Sequence, residues 1–300
     1  MTNYIKKDIR TLSVQDLKVF FDSNNIETYR ANQIYEWLWV KGVSDFNLMT
    51  NLSIDFRKFL QKYFTINNIK VESIQKSIDG TIKNAVKLYD NKIVESVLIP
   101  TKNRITACIS SQVGCSLNCK FCATSKLKRL RNLNVDEIFD QVKFIDNQSK
   151  SFYNRPITNI VYMGMGEPLM NYENVIKSIE KITSKSGLGF SPRRITVSSV
   201  GFPKFIKKMA DQKIKFNLAI SLHSAIQSVR EFLMPFSNKI LIEDLIDSLR
   251  YWINIKKSII TFEYIVFDGI NDSEKDIIEL IKICKKIPSK VNLIQYNSIN

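Results

Sequence analysis

The apolar positions of this chain change their period twice. Up to about residue 68 the spacing is helical. Residues 14–21 repeat every three to four positions behind Ser13, a good N-cap, and residues 29–39 gather Tyr29, Tyr35, Trp37 and Trp39 in one short stretch. Residues 54–64 make a third amphipathic stretch after Phe46, Leu48, Met49 and Leu52. Such an aromatic stripe predicts a packed core first and a binding surface second. The period then drops to two. Residues 70–77 and 81–89 flank Ile78-Asp79-Gly80, a hairpin signal, and a third strand at 92–99 runs into Pro100.

From residue 104 strands and helices alternate. Strands are predicted at 104–109, 158–162, 194–198, 215–220, 258–265 and 291–296, and helices at 135–148, 172–183, 203–211, 242–253 and 273–286, with a loop at 149–156. Six βα-type units in succession predict a parallel sheet. No Gly-x-Gly-x-x-Gly follows the first strand, so a partial (β/α)6 barrel of TIM type fits better than a dinucleotide-binding fold. The expected organisation is a helical unit over 1–68, a small β linker over 69–100 and the α/β core over 101–300.

The 300 residues, 44% of them hydrophobic, supply a substantial core. No apolar run has the length of a membrane span, and residues 1–21 lack the apolar stretch of a secretory signal. The expectation is a soluble, cytoplasmic protein whose cysteines stay reduced. Lys and Arg number 44 against 29 Asp and Glu, a net charge of +15 that suits a polyanionic partner, RNA or DNA first. A bias toward Lys, Ile and Asn would give the same charge without any such partner.

Four of the five cysteines lie between Cys108 and Cys122, and Cys115-x3-Cys119-x2-Cys122 is compact enough to wrap one inorganic centre. Thiolates suit an iron–sulfur cluster or zinc. A closed zinc site wants a fourth ligand at short spacing, and the only histidine, His223, is far along the chain. Ordinary buried thiols are the third reading. Ligand-handling residues of parallel βα folds follow the strand C-termini. The cysteine loop follows the first strand of the core, Met163-Gly164-Met165-Gly166-Glu167-Pro168 the second, Ser198-Ser199 ends the third, Ser221-Leu222-His223-Ser224 the fourth, and Asn297 the sixth. The fifth strand supplies nothing obvious. Gly164 and Gly166 would admit a ligand close to the backbone, and Glu167 would offer a carboxylate to an ammonium group. Taken singly, Ser198 and Ser221 read as strand-end hydrogen bonders and His223 as structural. The run Lys126-Leu127-Lys128-Arg129-Leu130-Arg131 is either a phosphate-holding strip or a solvated basic face.

The cysteine motif followed by Gly164-Met165-Gly166-Glu167-Pro168 resembles the radical S-adenosylmethionine enzymes. Ser110-Ser111-Gln112-Val113-Gly114-Cys115, Ser191-Pro192-Arg193-Arg194, Ser221-Leu222-His223 and Val291-Asn292-Leu293-Ile294 narrow the resemblance to the RlmN/Cfr family of RNA methyltransferases. It spans residues 29–300, and Gln112-Val113-Gly114 with Glu167-Pro168 is closer to the branch that methylates adenine C2 than to the C8 branch. The resemblance implies a [4Fe–4S] cluster on Cys115, Cys119 and Cys122 and S-adenosylmethionine contacts at Gly166, Glu167, Ser198, Ser221, Leu222, His223 and Asn297. It implies Glu95 as proton acceptor and Cys108 as the thiol of a transient disulfide. It further implies 23S rRNA and tRNA as partners, an electron donor such as flavodoxin with its reductase, and a monomer.

The family carries its methyl group on a second cysteine beyond the sixth strand, and no residue here matches it. Cys284 falls in the helix expected at 273–286, where it would pack as a small apolar residue. The expectation is a chain lacking its C-terminal segment. The competing expectations are an inactive RNA-binding remnant that keeps the cluster and cofactor, and a zinc-bound nucleic-acid module.

Overall fold

The computed structural model describes residues 6–299. The helical unit comes first. Helix α1 (Val14–Asp22) starts on a reciprocal capping box between Ser13 and Asp16, α2 (Arg30–Glu36) continues through a π turn over Trp37–Lys41, and α3 (Ile54–Tyr63) is capped by Ser53. Leu17, Phe21, Ile34, Leu38, Trp39, Phe56 and Leu60 turn inward and are buried. Of the aromatic stripe, Trp39 is core, Tyr35 and Trp37 pack half-buried against it, and Tyr29 is exposed.

The sheet has nine strands, β1 (Lys70–Lys76), β2 (Ile82–Lys87), β3 (Ile93–Pro100), β4 (Ile105–Cys108), β5 (Asn159–Tyr162), β6 (Ile195–Ser199), β7 (Asn217–Ser221), β8 (Ile260–Val266) and β9 (Ser289–Gln295). They lie side by side in chain order, antiparallel from β1 to β4 and parallel from β4 to β9. Each crossover therefore steps the same way, and right-handed connections put the helices on one face. The architecture is a partial (β/α)6 barrel, open at β9. The strands at 70–99, expected as a linker, are continuous with the core, because β3 pairs with β4 through Val97↔Cys108, Leu98↔Ala107 and Ile99↔Thr106.

The covering helices are α4 (Val135–Tyr153), α5 (Tyr172–Thr183), α6 (Pro203–Asp211), α7 (Gln227–Leu233), α8 (Ile242–Lys256) and α9 (Glu274–Lys286). Two depart from expectation. Helix α4 runs five residues into the expected loop, because its polar last turn finds partners on other elements. Gln148 exchanges two hydrogen bonds with buried Asn84 of β2, Ser149 donates to the Arg155 carbonyl, and the Tyr153 hydroxyl donates to the Gly80 carbonyl. Helix α7 is new, a short helix after β7 that carries the fully buried Arg230.

The helical unit docks on α4 and α5. Trp39 packs edge-on against Phe139, with ring centroids 5.1 Å apart, and Lys181 donates to the Tyr35 hydroxyl. Arg10 reaches across to Asp140 at 2.8 and 2.9 Å and to Asp136 at 3.2 Å.

Candidate active site at the strand C-termini

A cleft of about 240 Å³ opens where the parallel strands end. Cys115, Cys119 and Cys122 form one wall, and Gly164, Gly166, Glu167, Ser198, Ser221 and His223 contribute the others. Side chains scattered over more than a hundred residues thus meet, because successive parallel strands deliver their C-termini to one rim.

The rim is built on the segment after β4. Ser110 and Gln141 exchange hydrogen bonds of 2.9 and 3.2 Å, and the Ser110 hydroxyl accepts from the Met165 amide at 2.8 Å. The Ser111 and Gln112 amides donate to the Met165 carbonyl, and the Gln112 side chain accepts from the Glu167 amide at 2.9 Å. The two glycines serve this brace. A Cβ on Gly164 would lie 2.7 Å from the Ile109 backbone and the Ser110 hydroxyl, and one on Gly166 would lie 2.4 Å from Gln112 Cβ, at a φ of +93°. They admit the neighbouring backbone, and both also line the cleft.

Glu167 is buried. Its carboxylate accepts from the Leu169 amide at 2.9 Å and the Val200 amide at 3.0 Å, so it ties β5 to β6 as well as facing the cleft. Burial raises its carboxyl, and bonds from Ser199 and the two amides oppose that. Each oxygen keeps further acceptor capacity. The Ser198 and Ser221 hydroxyls make no hydrogen bond among the described residues.

His223 is buried in the left-handed region at φ +56°, its backbone clamped by the Glu263 carbonyl and the Asn271 side chain. Its Nδ1 accepts from the Ile265 amide at 3.1 Å, which places the ring proton on Nε2. Burial, reinforced by Arg230, pushes its pKa down to about 3, so the ring is neutral. It meets the Phe121 ring edge-on at 4.5 Å.

The fifth core strand does contribute, contrary to expectation. Glu263 of β8 lines the cleft, accepts from Asn292 at 2.7 Å and has its carboxyl raised by burial. A carboxylate inside the apolar run Thr261-Phe262-Glu263-Tyr264-Ile265 was the available signal.

The remaining expected residues lie outside the lining set. Leu222 is buried, and Asn297 is exposed beyond β9. Glu95 lies on β3 at the same rim, its carbonyl accepting from the Ser110 hydroxyl, while its side chain pairs with Lys83 at 3.1 Å. Cys108 ends β4, and burial pushes its thiol up to about 12. All five cysteines are free thiols, so the disulfide expected of Cys108 is not formed here. In the basic run, Lys128 and Arg129 are exposed, but Arg131 is committed to Asp90 and Glu137.

The three thiols fit a soft, multi-atom centre. Three soft thiol donors share one wall of the cleft, a donor set that an iron–sulfur cluster takes. Burial raises Cys119 to about 12 and raises Cys115 too, so both stay protonated until a cationic centre displaces the protons. The loop is preset: the Cys122 amide donates to the Cys119 carbonyl, and the Ser125 hydroxyl donates to the carbonyls of both.

Fold and cleft are those of a radical S-adenosylmethionine protein. Residues 109–281 match the family model described as the Radical SAM superfamily, and residues 7–66 match the ribosomal RNA large subunit methyltransferase N-terminal domain. A probable dual-specificity RNA methyltransferase RlmN from Flavobacterium psychrophilum is 57% identical over 98% of this chain and 85% of its own length. The corresponding protein of Christiangramia forsetii is 57% identical over 98% and 84%. A crystal structure of a radical SAM methyltransferase from Sphaerobacter thermophilus superposes with a TM-score of 0.90 at 33% identity, covering 97% of this chain and 86% of that one. The chain belongs to the RlmN family of dual-specificity RNA methyltransferases. Membership implies an iron–sulfur centre and S-adenosylmethionine.

Proposed function

We propose that this chain methylates C2 of adenine in 23S rRNA, at the peptidyl-transferase centre, and in certain tRNAs, at adenine 37. The convergence of Cys115, Cys119 and Cys122 with Gly166, Glu167, Ser198, Ser221 and His223 on one cleft carries this reading. Adenine C2 is an unactivated aromatic carbon that ordinary nucleophilic methyl transfer does not reach. A [4Fe–4S] cluster, when bound, supplies the electron that cleaves the sulfonium of S-adenosylmethionine and opens a radical route.

The protein's own groups then divide the work. The three cysteines would hold the centre on their wall of the cleft. Gly166, Glu167, the free hydroxyls of Ser198 and Ser221, and the Nε2–H of His223 offer the cofactor a polar wall, with Leu222 and Asn297, outside that lining, as further proposed contacts. Glu95 is the proposed proton acceptor, its carboxylate paired with Lys83 3.1 Å away. Cys108 is the proposed resolving thiol. With its pKa pushed up to about 12, it stays protonated until local opening admits the adduct. The helical unit and exposed Lys128 and Arg129 supply cationic contacts to RNA phosphates. The electron comes from an external donor of flavodoxin type, and the enzyme works as a cytoplasmic monomer.

Two measurements test this. After anaerobic reconstitution the protein should carry about four irons and four sulfides per chain and release 5′-deoxyadenosine from S-adenosylmethionine under a reductant. RNA from cells expressing this protein as their sole family member should contain 2-methyladenosine by mass spectrometry. Zinc in place of iron sinks the cluster reading. Release of 5′-deoxyadenosine without 2-methyladenosine sinks methyl transfer by this chain and leaves the remnant that keeps cluster and cofactor.

A further inference from the structure

Arg230 is a full positive charge with no exposed surface and no carboxylate partner among the described residues. Its guanidinium donates to the Val200 carbonyl at 2.7 Å and to the Ile240 carbonyl at a long 3.5 Å, and its Nε has no partner. Two neutral carbonyls do not offset the desolvation of a buried cation. The carboxylate joined to it through Val200 is Glu167, whose oxygens are taken by backbone amides. Glu231, next in sequence, is bonded instead by Gln227.

What Arg230 does face is the cysteine loop. Val200 and Met234 line the cleft, and Arg230 stands behind both, bonded through its guanidinium to the Val200 carbonyl and through its own carbonyl to the Met234 amide. The loop is fastened to α7 itself. The Lys120 amide donates to the Leu233 carbonyl at 2.9 Å, and the Lys120 ammonium sits 3.3 Å from the Phe232 ring centre. Cys119 and Arg230 each feel the other's charge across this wall.

We propose that Arg230 is the built-in counter-cation of the metal centre: a positioning residue whose buried charge balances the anionic thiolate-bound cluster and favours its reduced state. This rests on the cluster reading above. In the empty protein the charge has no ion pair among the described residues and feels only the neighbouring Glu231 carboxylate, which burial outweighs. Once the thiolates and centre are in place, it has its partner. A cation in a low-dielectric wall stabilises the state with one more electron, so removing it moves the midpoint potential negative.

The test compares Arg230→Met, Arg230→Gln and Arg230→Lys with the parent, each empty and reconstituted. Iron and sulfide are first measured on the parent, so failure of the cluster reading shows there. In the variants lacking the charge, the ratio of reduced to oxidised cluster at fixed potential should fall at least tenfold, about 59 mV for a one-electron couple, while Arg230→Lys stays near the parent. Empty Arg230→Met should unfold at or above the parent's temperature, because an apolar group replaces an unpaired buried charge. Its gain in stability on reconstitution should be smaller than the parent's. An unchanged potential in Arg230→Met or Arg230→Gln overturns the proposal. If neither loads a cluster, a loss of stability in empty Arg230→Met overturns it instead, because Arg230 would then be a structural clamp.

Discussion

Gly166 shows how much one missing atom does at this site. Its φ of +93° and the Gln112 side chain 2.4 Å from a would-be Cβ leave no place for a methyl group. Gly166→Ala should cost about 1–3 kcal/mol of stability in urea unfolding of the empty protein. The reconstituted variant should also lose cofactor binding, because the brace from Gln112 to Glu167 shifts with it. Glu167 and His223 make the same point for polar groups. Both looked like ligand contacts, and both are also struts, one between β5 and β6 and the other between β7 and β8.

At the scale of elements, the joint between the helical unit and α4 rests on an unequal charge cluster. One guanidinium, Arg10, meets Asp8, Asp136 and Asp140 in a largely buried space. Arg10→Ala would leave the carboxylates buried without their cation and should cost about 3–5 kcal/mol, read as a lower thermal midpoint. Burial raises the Asp136 carboxyl from 3.8 to about 7, Arg10 opposes the shift, and Asp8 and Asp140 add to it. The folded protein thus holds a proton that the unfolded chain has released. The contribution is complete below about pH 4 and is lost as pH rises through about 7. Stability should therefore fall between pH 5 and 8, and Asp136→Asn should lessen that fall, the remainder coming from Asp140, which burial raises to about 6.

Over the whole molecule, a net charge of +15 makes RNA affinity a question of salt. Six to ten phosphate contacts would lower the affinity about 10³–10⁵-fold between 50 and 200 mM salt. Replacing Lys128 and Arg129 by alanine should reduce the slope of log affinity against log salt by about two, as measured by filter binding. Arg131→Ala should lower stability instead, since its charge is spent on Asp90 and Glu137. No helix among the described residues is long and apolar enough to cross a membrane.

The order of elements was legible in the chain because each depends on its own residues: apolar period, Ser13 and Ser53 as caps, Gly80 in the hairpin. The cysteine spacing and the strand-end rule brought Cys115, Cys119, Cys122, Glu167, Ser198, Ser221 and His223 to one rim before any coordinate was known. What escaped that reading depends on partners distant in sequence. The last turn of α4 is stable because Asn84 and Gly80 lie beside it. The hairpin strands belong to the core because β3 pairs with β4. Glu263 joins the cleft because β8 faces inward, and Arg230 matters because α7 folds back against the cysteine loop. Local spacing fixes which groups each strand presents. Only the packed sheet decides which of them share a wall, which become struts, and which charges are left facing the centre alone.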